Sequence, residues 1–137
     1  MMIAGEVSGD IHGAGLIHHL RQSYERIEFF GIGGSRMLSE NLRPYYMLNS
    51  LQSNGLFELI HHLPRLFRTL RRMKLALETE KPDALILIDY PGFNLKLASF
   101  AKNMGIPVIF FNSPQIWAWR KNRINLIKRV VDKMIVL

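Results

Sequence analysis

Cysteine is absent from this chain, which removes disulfides and thiolate metal sites and fits a reducing cytoplasm. Long apolar runs are missing too: none approaches the roughly 20 residues that a membrane-spanning helix needs. The opening Met1-Met2-Ile3-Ala4 is too short to act as a signal peptide. There is no long polar tract, internal repeat or low-complexity segment, and 48% of the residues are hydrophobic, so a disordered chain is excluded. No P-loop lysine pattern occurs, which argues against a nucleoside triphosphatase. Acids are scarce, 11 against 18 lysines and arginines. What remains is 137 residues, suited to a single domain able to bury most of its core surface.

The resulting net charge of +7 suggests an anionic partner, either nucleic acid or an acidic membrane surface. Much of the positive charge falls in two stretches without acids. One holds Arg65, Arg68, Arg71, Arg72 and Lys74; the other holds Arg120, Lys121, Arg123, Lys128 and Arg129. Two solvated helix faces are the alternative. For nucleic acid there is no recognition motif beside the charge, so none is expected as a partner.

Strands alternate with helices along the chain. A strand stub at 1–4 leads into the loop Gly5-Glu6-Val7-Ser8-Gly9, and Asp10 can N-cap a helix over 11–22. A strand at 26–30 is expected to stop at Gly31-Ile32-Gly33-Gly34, with a short helix over 35–40. Residues 42–58 are the least legible, apart from a turn at Asn54-Gly55. Pro64 suits the first turn of a helix to about residue 80, where Leu66, Leu70, Met73 and Leu77 recur at the spacing of one buried stripe. Then come a strand at 84–88, a helix over 93–104 ended by Gly105, a strand at 107–111, a loop at 112–115, a helix over 116–130 and a strand from 133.

The strands read as solid aliphatic runs, the mark of a parallel sheet buried on both faces by helices. Right-handed crossovers then bring every strand's C-terminal end to one rim, where open α/β sheets carry their binding crevice. Loops 5–10, 31–36, 89–94 and 112–115 should meet there. In "LILIDYPGFN" an apolar strand ends on Asp89, a carboxylate costly to bury unless paired or solvated. Asp89 is therefore a candidate general base at the rim, with backbone N–H binding inside a tight Asp-Tyr-Pro-Gly turn as the structural alternative. Glu6 and Asp10 are candidates by the same logic, among small residues Gly5, Ser8 and Gly9 that let a ligand approach. Asp10 taken alone reads as a helix cap.

Other signals are weaker. "GIGGSR" lacks the third glycine of a dinucleotide fingerprint, with Arg36 in its place, although glycines including Gly33 can cradle a phosphate or sugar. A tight turn explains them equally. His18-His19 and His61-His62 are adjacent pairs that point in different directions on a helix, so neither makes a metal site. His12, beside the first loop, is a further candidate ligand contact.

Four segments, "AGEVSGDIHGAGLI", "GIGGSRM", "LIDYPGFNLKLA" and "SPQIWAWRKNRI", together closely resemble the lipid-A-disaccharide synthases. The resemblance runs in order through the whole chain. It implies the Rossmann-like N-terminal domain of a GT-B glycosyltransferase, with residues 1–137 as the acceptor-side domain and a C-terminal donor-binding domain outside them. The implied reaction joins a UDP-linked diacylglucosamine donor to an acylated glucosamine phosphate acceptor, 2,3-diacylglucosamine 1-phosphate, and releases UDP. No cofactor and no metal are implied.

The resemblance also implies roles for residues. Asp89 becomes the catalytic base on the acceptor 6-hydroxyl. Glu6, Ser8, Gly9 and Asp10 line the cleft, as do Ser113, Gln115 and Trp117 of the second signature; Gly33 and Asn94 complete the substrate-binding set. Acylated substrates imply a place on the anionic cytoplasmic face of the inner membrane. The segment around residue 65 carries the expected contact, through Leu63, Leu66 and Phe67 with Arg65, Arg68 and Arg72. A non-catalytic lipid-binding module on the same scaffold is the alternative.

Overall fold

The computed structural model describes residues 1–47, 56–111 and 121–136, except the side chains of 47, 56–63 and 121–123. The elements are β1 (Met2–Ala4), α1 (Val7–Ser23), β2 (Phe30–Gly33), α2 (Ser35–Ser39), β3 (Arg43–Met47) and α3 (Leu56–Glu80). They continue as β4 (Leu85–Ile88), α4 (Pro91–Asn103), β5 (Val108–Phe111), α5 (Lys121–Val130) and β6 (Lys133–Ile135). The strands form one parallel sheet in the order β3-β2-β1-β4-β5-β6, the doubly wound Rossmann-like arrangement expected from the aliphatic runs.

Alternation within the central strands fills two cores at once. Ile3, Leu85 and Leu87 face one side, where Met73 and Leu77 of α3 and Phe93 of α4 cover them. Met2, Ala4 and Ile88 face the other, against Ile17 of α1 and Met37 of α2. Each of the larger side chains among them contributes roughly 1.5–3 kcal/mol on burial. The sheet is thereby fixed between two helical layers, and its rim becomes a rigid platform.

Several expected boundaries move. Gly31-Ile32-Gly33 does not stop a strand at residue 30 but forms most of β2, buried throughout. Its pairing with β3 shifts register between Gly31 and Ile32. Gly31 takes φ +143° there, and a Cβ on it would lie 2.0 Å from the Met2 carbonyl oxygen, so the glycine that looks like a strand breaker is what lets β2 approach β1. In the segment that the sequence left illegible, β3 is an edge strand, the position that tolerates its Pro44. The Asn54-Gly55 turn lies outside the described residues.

Pro64 does not open its helix either. It lies inside α3, which starts at Leu56 because the apolar spacing extends upstream through Leu56-Phe57-Glu58-Leu59-Ile60. The expected stripe holds: Met73 and Leu77 are buried, and Leu66 and Leu70 pack half-buried against the same core.

Candidate active site

β1 and β4 lie side by side, with Ala4 opposite Ile88, yet the chain leaves them in opposite directions: β1 feeds α1 and β2, whereas β4 feeds α4 and β5. This is the topological switch point of the sheet, where diverging connections open a crevice beyond the strand ends. Two of the expected loops, 5–10 and 89–94, meet here.

Asp89 and Tyr90 both adopt left-handed backbone, φ 52° and 41°, a conformation that costs non-glycine residues about 1–3 kcal/mol each. Asn94 holds the turn. Its Nδ2 donates to the carbonyl oxygens of Ile88 at 3.2 Å and Asp89 at 2.7 Å, and the residue is fully buried. Pro91, with φ preset for a helix, starts α4 directly after Tyr90. Gly5 completes the fit, since a Cβ there would overlap the Tyr90 Cβ at 2.0 Å. Burial raises the Tyr90 phenol above its usual range, and the negative charge of Glu6 adds to this.

The turn brings the Asp89 carboxylate against the start of α1. Ser8 Oγ donates to Asp89 Oδ2 at 3.2 Å, and a Cβ on Gly9 would lie 3.4 Å from the same oxygen. Asp89 is half-buried, while Ser8 and Glu6 are exposed. Glu6 occupies the N-cap of α1 in extended conformation without a side-chain capping bond. His12, one turn further along α1, sets its ring 6.4 Å from that of Phe111 at the end of β5.

Asp10 caps a helix, but not its own. α1 begins at Val7, which puts Asp10 inside its first turn, only 5% exposed. Its carboxylate accepts N–H bonds from Gly34 at 2.7 Å, Arg36 at 3.1 Å and Met37 at 3.0 Å. Those are orphan donors at the start of α2, so Asp10 is a capping residue supplied through space. Gly33 is likewise a packing position within β2, where a Cβ would come within 2.7 Å of Leu42. Asn94, expected as a substrate contact, has its amide engaged by the two carbonyls beneath Asp89. Ser113, Gln115 and Trp117 lie outside the described residues.

On α3, Arg65 and Arg68 are exposed, as is Arg72, and Phe67 is 58% exposed. Leu66 departs from the expected membrane contact, because it packs half-buried against the core. The side chain of Leu63 lies outside the described residues. What sequence reasoning missed is the clamp of Asn94 and the wall that Tyr46 makes beside the arginines. The clamp had a signal, an asparagine shortly after an Asp-Tyr-Pro-Gly turn.

The sequence profile described as Lipid-A-disaccharide synthetase matches residues 1–137. The chain belongs to that family. It is 44% identical over its full length to the lipid-A-disaccharide synthase of Trichlorobacter lovleyi, and 43% identical over 99% of its length to that of Alkalilimnicola ehrlichii. It is also 44% identical over its whole length to lipid-A-disaccharide synthase 1 of Legionella pneumophila. In each case it spans 36% of the relative. Within this family member, the Gly-Glu-x-Ser-Gly-Asp and Asp-Tyr-Pro-Gly-Phe-Asn segments quoted above are the two that build the switch-point crevice.

Proposed function

We propose that this chain is the acceptor-side portion of a hexosyltransferase of lipid A assembly. The acceptor is 2,3-diacylglucosamine 1-phosphate and the donor its UDP-linked diacyl counterpart. The observation that carries the reading is the half-buried Asp89 carboxylate at the switch point, oriented by Ser8 on a turn clamped by Asn94. Asp89 takes the proton from the acceptor 6-hydroxyl as that oxygen attacks the donor anomeric carbon. The bond from that carbon to the UDP oxygen breaks, and UDP leaves with the electron pair. A carboxylate fixed at a rim suits this task, because a general base must be within hydrogen-bond reach of the proton it removes.

Asp10 acts one step back in this scheme. By capping α2 it fixes the Gly34 turn beside the crevice, so it positions instead of binding. The donor is held chiefly by a second, C-terminal domain outside these residues, and the transition state lacks most of its binding energy until that domain is added. No described helix is long and apolar enough to cross a membrane. The outward face of α3, where Phe67 and Leu75 are each 58% exposed beside Arg68 and Arg71, supports peripheral attachment to the anionic cytoplasmic surface of the inner membrane.

The test mixes the chain with a separately made C-terminal portion of a relative and both lipid substrates. Disaccharide should form only in the mixture, and Asp89→Asn should lower turnover by roughly 10²–10⁴-fold with unaltered folding. Near-normal turnover of the variant excludes the base assignment. Lipid binding without any product in the mixture would favour a non-catalytic lipid-binding module.

A further inference from the structure

Away from the switch point, a cavity of about 420 Å³ opens between α3 and the C-terminal end of edge strand β3. Among the described residues its walls are Arg65, Arg68 and Arg72, with Thr69 between them on the helix and Tyr46 opposite. The three guanidinium groups recur at i, i+3 and i+7, so one flank of the helix presents all of them. From residue 64 onward α3 carries only two acids, and both are engaged elsewhere: Glu78 with Lys74 at 3.7 Å, Glu80 with Arg43 at 3.0 Å. β3 contributes no acid. Among the described residues none of the three arginines has a carboxylate partner. Thr69 is only 1% exposed, so a buried polar residue backs the cavity.

We propose that this cavity binds a phosphate monoester. Three like charges around one space repel unless an anion joins them. A monoester brings close to two negative charges near neutrality and three terminal oxygens, matching the planar forks of several guanidinium groups. A diester offers one charge and fewer free oxygens. The volume lies within the roughly 300–1,000 Å³ of small-ligand sites, leaving room for the group that the phosphate esterifies. The proposal goes beyond the attraction of α3 to a charged surface, because it requires fork geometry and not charge alone. That difference lets the two fail separately.

The test is calorimetric titration of the 137-residue chain with inorganic phosphate and with glucose 1-phosphate. Sedimentation with vesicles of phosphatidic acid or of phosphatidylglycerol, at matched surface charge, runs alongside. Wild type should bind phosphate saturably at one site. The charge-conserving Arg65→Lys, Arg68→Lys, Arg72→Lys variant should lose that binding by roughly tenfold or more, because ammonium groups cannot replace the forks. Its sedimentation with phosphatidylglycerol should fall far less than its phosphate binding, because the charge that the surface attracts is kept. If the triple variant fails to fold, the three single lysine variants read the same effect. A preference for phosphatidic acid that inorganic phosphate competes away identifies a lipid headgroup as the source. Tighter binding of glucose 1-phosphate without that preference identifies a soluble or substrate phosphate. Absence of saturable binding in wild type, or full binding by the lysine variants, overturns the proposal.

Discussion

Asn94 Nδ2 lies 2.7 Å from the carbonyl oxygen of Asp89, close enough to fix the backbone of the residue that carries the candidate base. The same amide reaches the Ile88 carbonyl, so the last strand residue and the first turn residue are tied to α4 by a single side chain. The clamp bears on a turn in which two left-handed residues follow each other.

Asn94→Ala should therefore destabilise the chain by about 1–3 kcal/mol, the range for leaving buried polar groups unpaired. Asn94→Asp should cost more, since it places an acceptor against two carbonyls. Urea unfolding followed by circular dichroism gives both values. A change within experimental error for the alanine variant would mean that the turn is held by other contacts.

Asp10 makes a similar prediction at a second place. Three N–H groups at the start of α2 point at its carboxylate. Asp10→Ala should cost about 1–3 kcal/mol and loosen α2, detected as faster amide exchange at Gly34 and Met37. Asp10→Asn keeps one acceptor oxygen and should fall between wild type and alanine. Faster exchange confined to α1 would assign the carboxylate to its own helix.

The legible parts of the fold are those in which one physical signal dominates. Leu85 to Ile88 could only be a strand buried on both faces, and Met73 with Leu77 could only be the inner stripe of a helix. Where two signals compete, the sequence misleads. Gly31 and Gly33 carry the mark of a strand breaker, yet the tight approach of β2 to β1 and of Leu42 to Gly33 leaves no space for a side chain. Pro64 carries the mark of a helix start, yet the longer apolar period wins. Asp10 looks like a local cap because sequence shows only neighbours, and its three partners lie on another element. The rim position of Asp89 is readable from strand order; its clamp leaves only the trace of an asparagine shortly after the turn, because no spacing rule says where that side chain turns.

The amino terminus of the 137-residue chain offers a pH test. The Met1 ammonium donates to the Ala84 carbonyl at 2.8 Å, and burial lowers its pKa from 8.0 to about 6, a shift that the charge of Asp83 partly offsets. The unfolded chain thus binds more protons than the folded one between about pH 6 and 8. Stability should rise with pH across that window, be fully present above about pH 8, and be lost as the pH falls through about 6. A shift of this size corresponds to about 2–3 kcal/mol. Acetylating the amine should flatten the rise, and an identical pH profile for both forms would show that the group does not contribute.

Attachment to a membrane is tested by replacing Arg65, Arg68 and Arg72 together with alanine. Each cation near an anionic surface contributes about 1 kcal/mol, so the triple variant should bind phosphatidylglycerol vesicles roughly a hundredfold more weakly. Binding of the wild type should also fall as salt rises, because the charges are exposed and screening acts over about 10 Å at 0.1 M. Phe67→Ser separates the apolar part of the contact. Phe67 is largely exposed although Lys96 lies 5.3 Å from its ring centre, so its loss should weaken binding without unfolding the helix. If the triple alanine variant sediments with anionic vesicles as wild type does, α3 is not the surface that meets lipid. Lys128 and Arg129 in the last turn of α5 then become the cations to replace.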